Sequence, residues 1–280
     1  MPTKSHHGPA PGQIQIPGYD EFELDVERVL KEQLPAFIDG VTPAPLTREN
    51  VLAVPARAKG AYLLLHRGRP VYAGKTDASH GFRNRLERHW STLQHRVGLD
   101  LADMSFKAVR VMVFSNFDVE TILIKEMRRR DPQSHGLPWN DSGFGSNDPG
   151  HNREAQEPAQ FDKDWPVDID RPLDFIQPGT HNVRDLLVKL KEGLPYLLRY
   201  ETDLIIKGKA KPKPAKHGVG HVDQRESSVE IPPGPITTRS ALTAIVAALP
   251  ASQWQATIFP DRVILYKEPV DYPFNLSIIR

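Results

Sequence analysis

Gly60-Ala-Tyr-Leu-Leu-Leu-His-Arg-Gly-Arg-Pro-Val-Tyr-Ala-Gly-Lys-Thr76 is the stretch whose reading decides the fold. Ala61 to His66 is mostly apolar and reads as a short strand. HRGRP is a turn, and Pro70 to Ala73 starts a second strand. The pair is a hairpin, which Gly74-Lys75-Thr76-Asp77 is expected to close. The pattern then turns helical from Phe82, with Phe82, Leu86, Trp90 and Leu93 on one face. Phe106 to Phe114 is the next strand, with Val109, Val111 and Val113 on one side. Asn116 or Asp118 is placed to cap a helix running to about Arg130, whose buried stripe is Val119, Ile122, Leu123 and Met127. Residues 56–130 thus read as strand, strand, helix, strand, helix, a small α/β unit.

Outside this unit the sequence is less regular. Residues 1–20 are polar, rich in Pro and Gly, and read as a disordered tail. FELDVERVLKEQLPAFI (22–38) has helical spacing, and 39–50 reads as a loop. Residues 131–180 are dominated by Pro, Gly, Asn and Asp, yet carry Trp139, Phe144, Phe161, Trp165 and Phe175. A long irregular segment with so many aromatics argues for function over disorder. Residues 181–201 contain a further helix, and 207–216 reads as a basic linker or arm. A helix near 239–249 and strands near 254–259 and 262–267 complete the C-terminal part. The expected division is a tail over 1–20, a catalytic domain over 21–180 and an accessory region over 181–280.

Composition removes several classes of chemistry. The 280 residues contain no cysteine, which excludes a disulfide framework, a cysteine-ligated cluster and a thiol nucleophile. No apolar run approaches a membrane span, and the first residues have no apolar core of the kind a secretory signal needs. A soluble protein of the cytoplasm, with no membrane partner, is expected. The net charge of +1 conceals opposed blocks. Seven Lys/Arg against two Asp/Glu lie in 60–96, seven acids against two bases in 154–174, and five lysines with no acid in 207–216. Local charge matters more than the total for a polyanionic partner.

The chemistry-bearing residues are Tyr62, Tyr72, Arg85, His89, Glu120 and Asn140. Arg85 and His89 lie four apart, so they share a helix face. Such a set suits phosphodiester hydrolysis. A guanidinium holds the phosphate bidentately. One carboxylate can hold magnesium through oxygen. A tyrosine hydroxyl near a histidine can relay a proton from the attacking water. The chemistry alone does not choose which tyrosine does so. Gly74-Lys75-Thr76 is not the end of a phosphate loop, because the required glycine position holds Arg69.

Gly60-Ala61-Tyr62 followed by Tyr72-Ala73-Gly74 resembles the paired signature of the GIY-YIG nuclease superfamily. The family's helix arginine and histidine fall on Arg85 and His89, its metal-binding glutamate on Glu120, and its closing asparagine on Asn140. Ala61 and Ala73 stand where the family has isoleucines, and the stretch between Glu120 and Asn140 is longer than usual. WNDSGFGSNDPGHNR and FDKDWPVDID are similar to the type II restriction endonuclease branch, and the resemblance covers roughly residues 55–175. It implies an α+β fold: a small core of short antiparallel sheet flanked by helices, with an N-terminal helix and long loop and C-terminal additions. It implies magnesium at Glu120, double-stranded DNA as substrate and a homodimer on DNA. A cognate methyltransferase encoded nearby in a prokaryotic host is implied as well. Tyr62, aided by His89, is the preferred base or water positioner, Tyr72 supports the nucleophile or phosphate, Arg85 holds the phosphate and Asn140 fixes the geometry. All of these side chains are expected to border one cleft. Lys75, Arg83, Arg88, Asn147, His151, Asn152 and Arg153 are the candidate DNA contacts. The alternatives are a repair, recombination or mobile-element nuclease of the superfamily, and a non-catalytic DNA-binding protein with a vestigial core.

Overall fold

The computed structural model describes residues 25–76, 81–112, 119–130, 136–140, 142–144, 154–205, 213–214, 216, 218–267 and 269–280. The expected tail over 1–20, the Asn116 or Asp118 cap and most of the lysine segment 207–216 lie outside these residues, as do Asn147, His151, Asn152 and Arg153.

The chain enters through α1 (Val26–Asp39), where the Asp25 carboxylate accepts the Arg28 amide as an N-cap. The expected loop over 39–50 contains β1 (Ala44–Pro45) and the start of α2 (Arg48–Ala53), capped by Thr47. The hairpin follows as β2 (Gly60–His66) and β3 (Arg69–Thr76). Gly74, Lys75 and Thr76 do not close the hairpin; they extend β3 and pair with Tyr62, Ala61 and Gly60. Next come α3 (Phe82–Leu93), β4 (Met104–Arg110) and α4 (Val119–Arg130). β4 begins two residues before the expected strand and ends at Arg110, because Met104 and Ser105 continue the ladder opposite His66 and Leu65.

These strands form an antiparallel sheet in the order β1-β4-β2-β3. Strand alternation gives it two buried faces. Tyr62, Leu64 and Phe106 face α2, α3 and the aromatics Trp139, Phe144 and Phe161. Ala61, Leu63, Leu65, Ala73 and Val109 face α1 and α4. Burial on both sides explains why the Leu63-Leu64-Leu65 run is continuous rather than alternating. On α3, Phe82, Leu86, His89 and Leu93 are buried and Trp90 is half-buried, so the histidine takes the central place on the packed face.

The second part holds α5 (Gln160–Asp164), β5 (Gly179–Asn182), α6 (Val183–Gly193), β6 (Leu197–Tyr200), β7 (Leu204–Ile205) and β8 (Lys213–Pro214). It ends with α7 (Val222–Glu226), β9 (Ser228–Ile231), α8 (Thr238–Ala248), β10 (Trp254–Ile258), β11 (Arg262–Lys267) and β12 (Ser277–Ile279). A sheet in the order β12-β10-β11-β6 carries α6 and α8 on one face, and only the β11–β6 pair is parallel within it. Its core takes in Val167, Ile169, Leu173 and Ile176, whereas Phe161 and Trp165 pack with the first sheet. The expected boundary at 180 therefore moves back to 165–167.

Arg96 joins the two parts. Its Nη1 donates to Asp162 Oδ1 (2.8 Å), to the Trp165 carbonyl (2.8 Å) and to the Pro260 carbonyl in the β10–β11 turn (3.4 Å). The guanidinium also lies 5.0 Å from the Phe161 ring centroid. Glu154, buried, takes the Tyr266 hydroxyl at 3.1 Å and lies 3.7 Å from Arg199.

Candidate active site

Tyr62 lies in the middle of the sheet, directly opposite Gly74 on β3. A Cβ added at position 74 would stand 2.4 Å from the Tyr62 ring and hydroxyl. Only glycine lets the phenol lie flat across β3 here. Gly60 has a similar reason: its Cβ would meet the Val109 carbonyl at 2.0 Å and Phe82 Cζ at 2.7 Å. Tyr72 is on the same sheet face, diagonal to Tyr62, with ring centroids 6.1 Å apart.

α3 delivers His89 to this pair. The Tyr62 hydroxyl is 2.7 Å from His89 Nε2. The imidazole also meets Tyr72 edge-on at 5.3 Å and is stacked by Phe144 at 5.0 Å and 24°. Phe144 in turn contacts Tyr72, Trp139 and Phe161 at centroid distances of 5.1, 5.2 and 4.7 Å. This wall keeps water from one side of the histidine. Burial, with the positive charges of Arg88 and Arg85 behind it, pushes the His89 pKa down to about 3, so the ring is neutral at neutral pH.

Burial also raises the Tyr62 hydroxyl well above the ordinary phenol value, with the neighbouring Tyr72 adding to it and Arg85 opposing. Tyr72 is raised by burial and then by the negative charge of Glu120, while the Tyr62 hydroxyl, Arg85 and Arg88 pull it back. Both phenols are therefore protonated at neutral pH. They differ in access: Tyr62 is 1% exposed, whereas Tyr72 is half-buried. The Tyr62 oxygen is sealed between β3 and His89, so Tyr62, the preferred water positioner by resemblance, is the less accessible of the two phenols. Tyr72 carries the accessible hydroxyl, and Tyr62 links it to His89.

Arg85 lies one turn before His89, and its Nε is buried with no hydrogen-bond partner among the described residues. Arg83, Arg184 and Arg262 share this feature, but only Arg85 and Arg83 have it on α3, and Arg83 is already tied to the carbonyls at the end of α2. Glu120 sits in the first turn of α4, whose body packs on the sheet face opposite α3. The five side chains therefore do not line a single wall. Glu120 lies 3.8 Å from Lys75 Nζ, and its charge raises the pKa of both tyrosine hydroxyls. Asn140 donates from Nδ2 to the Ala73 carbonyl and accepts the Ala73 amide at Oδ1, each at 2.8 Å. With Trp139 N–H donating to the Val71 carbonyl at 2.9 Å, it clamps β3 on either side of Tyr72.

The expected DNA contacts separate. Lys75 is engaged with Glu120. Arg83 turns inward and donates to the carbonyls of Leu52 (2.7 Å) and Val54 (3.4 Å), so it ties down the end of α2 instead of facing a ligand. Arg88 is exposed on α3. Phe144 and Gly74 had no assigned role in the sequence. The aromatic content of 131–180 points to the segment that holds Phe144, but nothing local reveals that its ring stacks on His89.

The donor set suits magnesium more than a transition metal. Among the described residues no group of three or more His, Asp or Glu side chains could enclose an ion. Glu120 offers one hard oxygen ligand, and magnesium is commonly bound by one or two carboxylates completed by water and substrate phosphate. No established family model matches the chain, and no curated protein sequence matches it.

Proposed function

We propose that the chain is a magnesium-dependent endonuclease of the GIY-YIG type, in the type II restriction branch, that hydrolyses double-stranded DNA at a short site. The observation that carries the reading is the buried Tyr62 Oη–His89 Nε2 contact of 2.7 Å, set beside an arginine with an orphaned Nε. Two coupled phenols, a neutral imidazole and an unsatisfied guanidinium make a proton acceptor chain next to an anion holder. That is what attack of water on a phosphodiester requires.

Arg85 holds the scissile phosphate. Tyr72 orients the attacking water. As the water oxygen bonds to phosphorus, its proton passes to the Tyr72 oxygen, the Tyr72 proton moves to Tyr62, and the Tyr62 proton moves to His89 Nε2. Neutral His89 can accept it with the tautomeric proton on Nδ1. The P–O3′ bond breaks with its electron pair on the 3′-oxygen. Magnesium held by Glu120 would neutralise charge on the phosphate oxygens and the leaving oxygen. Asn140 holds β3, and with it Tyr72, in register.

One compact site cuts one strand, so double-strand cleavage calls for a homodimer on DNA. A cognate methyltransferase encoded nearby would protect the host. The test is to incubate purified protein with unmethylated genomic DNA and magnesium and to sequence every new end. Ends sharing one short sequence with a constant stagger are expected. Random nicks, or cuts confined to branched or damaged DNA, would move the reading to the repair-type nucleases. Intact DNA would return it to a vestigial core.

A further inference from the structure

The sheet presents very different charge at its two ends. At the hairpin end, Arg67 is bound to Asp103 at 2.9 Å, and His66 lies 3.9 Å from the same carboxylate. At the other end, β2 starts, β3 stops and β4 stops together. The register sets Gly60 opposite both Thr76 and Arg110. Lys59 immediately precedes Gly60, and Lys75 is the penultimate residue of β3. Arg57 lies beside the start of α3, since a Cβ at Gly81 would stand 2.9 Å from the Arg57 Cα.

Arg57, Lys59 and Arg110 are all exposed, and no ion pair or hydrogen bond engages their side chains among the described residues. Glu120 stands against Lys75. Among the described residues, these three cations on one margin have no such partner. Neighbouring strands are about 4.8 Å apart and rise about 3.3 Å per residue. The margin is thus on the order of 10 Å wide and on the order of 10 Å from Tyr62. Duplex DNA carries a phosphate about every 3.4 Å of axis on each strand. A backbone held at Arg85 would run a few phosphates on before passing this margin.

We infer that Arg57, Lys59 and Arg110 form a backbone-tracking rim for duplex DNA, which grips phosphates flanking the scissile one on the side away from the hairpin turn. The inference rests on the nuclease reading and adds to it residues outside the motif. The rim reads no sequence. It sets the angle and position at which the duplex enters the site, and it supplies sequence-independent affinity through released counterions.

The test uses the full chain and a fluorescent duplex, with calcium in place of magnesium, and follows anisotropy over a range of KCl concentrations. The wild-type protein is compared with Arg57→Gln/Lys59→Gln/Arg110→Gln and with Arg69→Gln, an exposed charge at the hairpin end. Each phosphate that a variant no longer neutralises should flatten the log K against log salt slope by about 0.9, so the triple variant should drop roughly two to three units. The Arg69→Gln slope should match the wild type. If the triple variant misfolds by circular dichroism, the single Arg110→Gln variant should still drop about 0.9. A wild-type slope retained by these variants, with tight wild-type binding, would overturn the rim and leave the nuclease reading standing. Failure of the wild-type chain to bind duplex DNA would overturn both.

Discussion

The Tyr62–His89 contact couples a phenol that is protonated at neutral pH to an imidazole that is neutral there. Neither is a base of matched pKa in the resting protein. In the proposed mechanism they form a path for a proton. Removing the path by Tyr62→Phe should lower single-turnover cleavage by at least about 100-fold, in the range general-base loss produces, and leave DNA binding intact. Equal loss of binding would make the residue structural. The buried histidine also has a stability signature. Its folded pKa, about 3, lies below the unfolded value near 6.5, so the unfolded chain takes the proton first. Stability should fall by about 1.4 kcal/mol per pH unit from this residue as pH drops from 6.5 towards 3. Denaturant midpoints of wild type and His89→Phe should diverge in slope across that window and run parallel above it. Gly74→Ala brings a methyl group 2.4 Å from the Tyr62 hydroxyl, a clash that should cost about 1–3 kcal/mol and displace the phenol. Near-wild-type stability and activity would mean that the ring has another place to go. Tyr62, Tyr72, Arg85 and His89 are picked out by the family resemblance, and local spacing adds only that Arg85 and His89 share a helix face. The need for glycine at 74 and the stacking of Phe144 on His89 are legible from neither, because each arises where distant segments meet.

At the level of elements, the hairpin and α3 follow from patterns inside a dozen residues, and their bounds differ from expectation by no more than a few residues. Larger differences arise where context decides. Within 181–201, expected to contain a helix, Leu197–Tyr200 is a strand with no sequence expectation of its own, held parallel to β11 by partners more than sixty residues away. Leu194 ends α6 in an extended conformation, one residue before Pro195, which cannot continue the helical ladder. Ala44–Pro45 reads as loop because a two-residue strand has no period. The clamp from Asn140 to Ala73 is a contact between a side chain and a strand edge, invisible to periodicity. Asn140→Ala removes two hydrogen bonds and should cost about 2 kcal/mol. Because the clamp brackets Tyr72, cleavage should fall by more than binding does. A stability loss with unchanged cleavage rate would separate the clamp from the chemistry.

For the whole molecule, the junction around Arg96 decides whether the two cores behave as one. Arg96 and Asp162 have side chains only 8% and 12% exposed, so breaking the pair leaves a buried charge. Arg96→Ala should cost about 3–5 kcal/mol. The deficit should shrink at acid pH. Burial already raises the Asp162 carboxyl above its ordinary value, and without the opposing guanidinium it would rise further and take up a proton more readily. A pH-independent deficit would point to missing packing over Phe161 instead. The same junction explains why the boundary could not be read from composition: Val167 and Trp165 are near neighbours that serve different cores. The clamp on β3 has a further meaning for self-association. A bare strand at the margin of a sheet is a template on which another copy can add its own strand. Here one margin is occupied at Val71 and Ala73 by residues 139–140, and the other is a two-residue strand ending in proline. Among the described residues, neither of these two stretches offers a continuous ladder to a second molecule. Were two chains to pair on DNA as proposed, strand addition at Val71–Ala73 or at Ala44–Pro45 would not be what joins them.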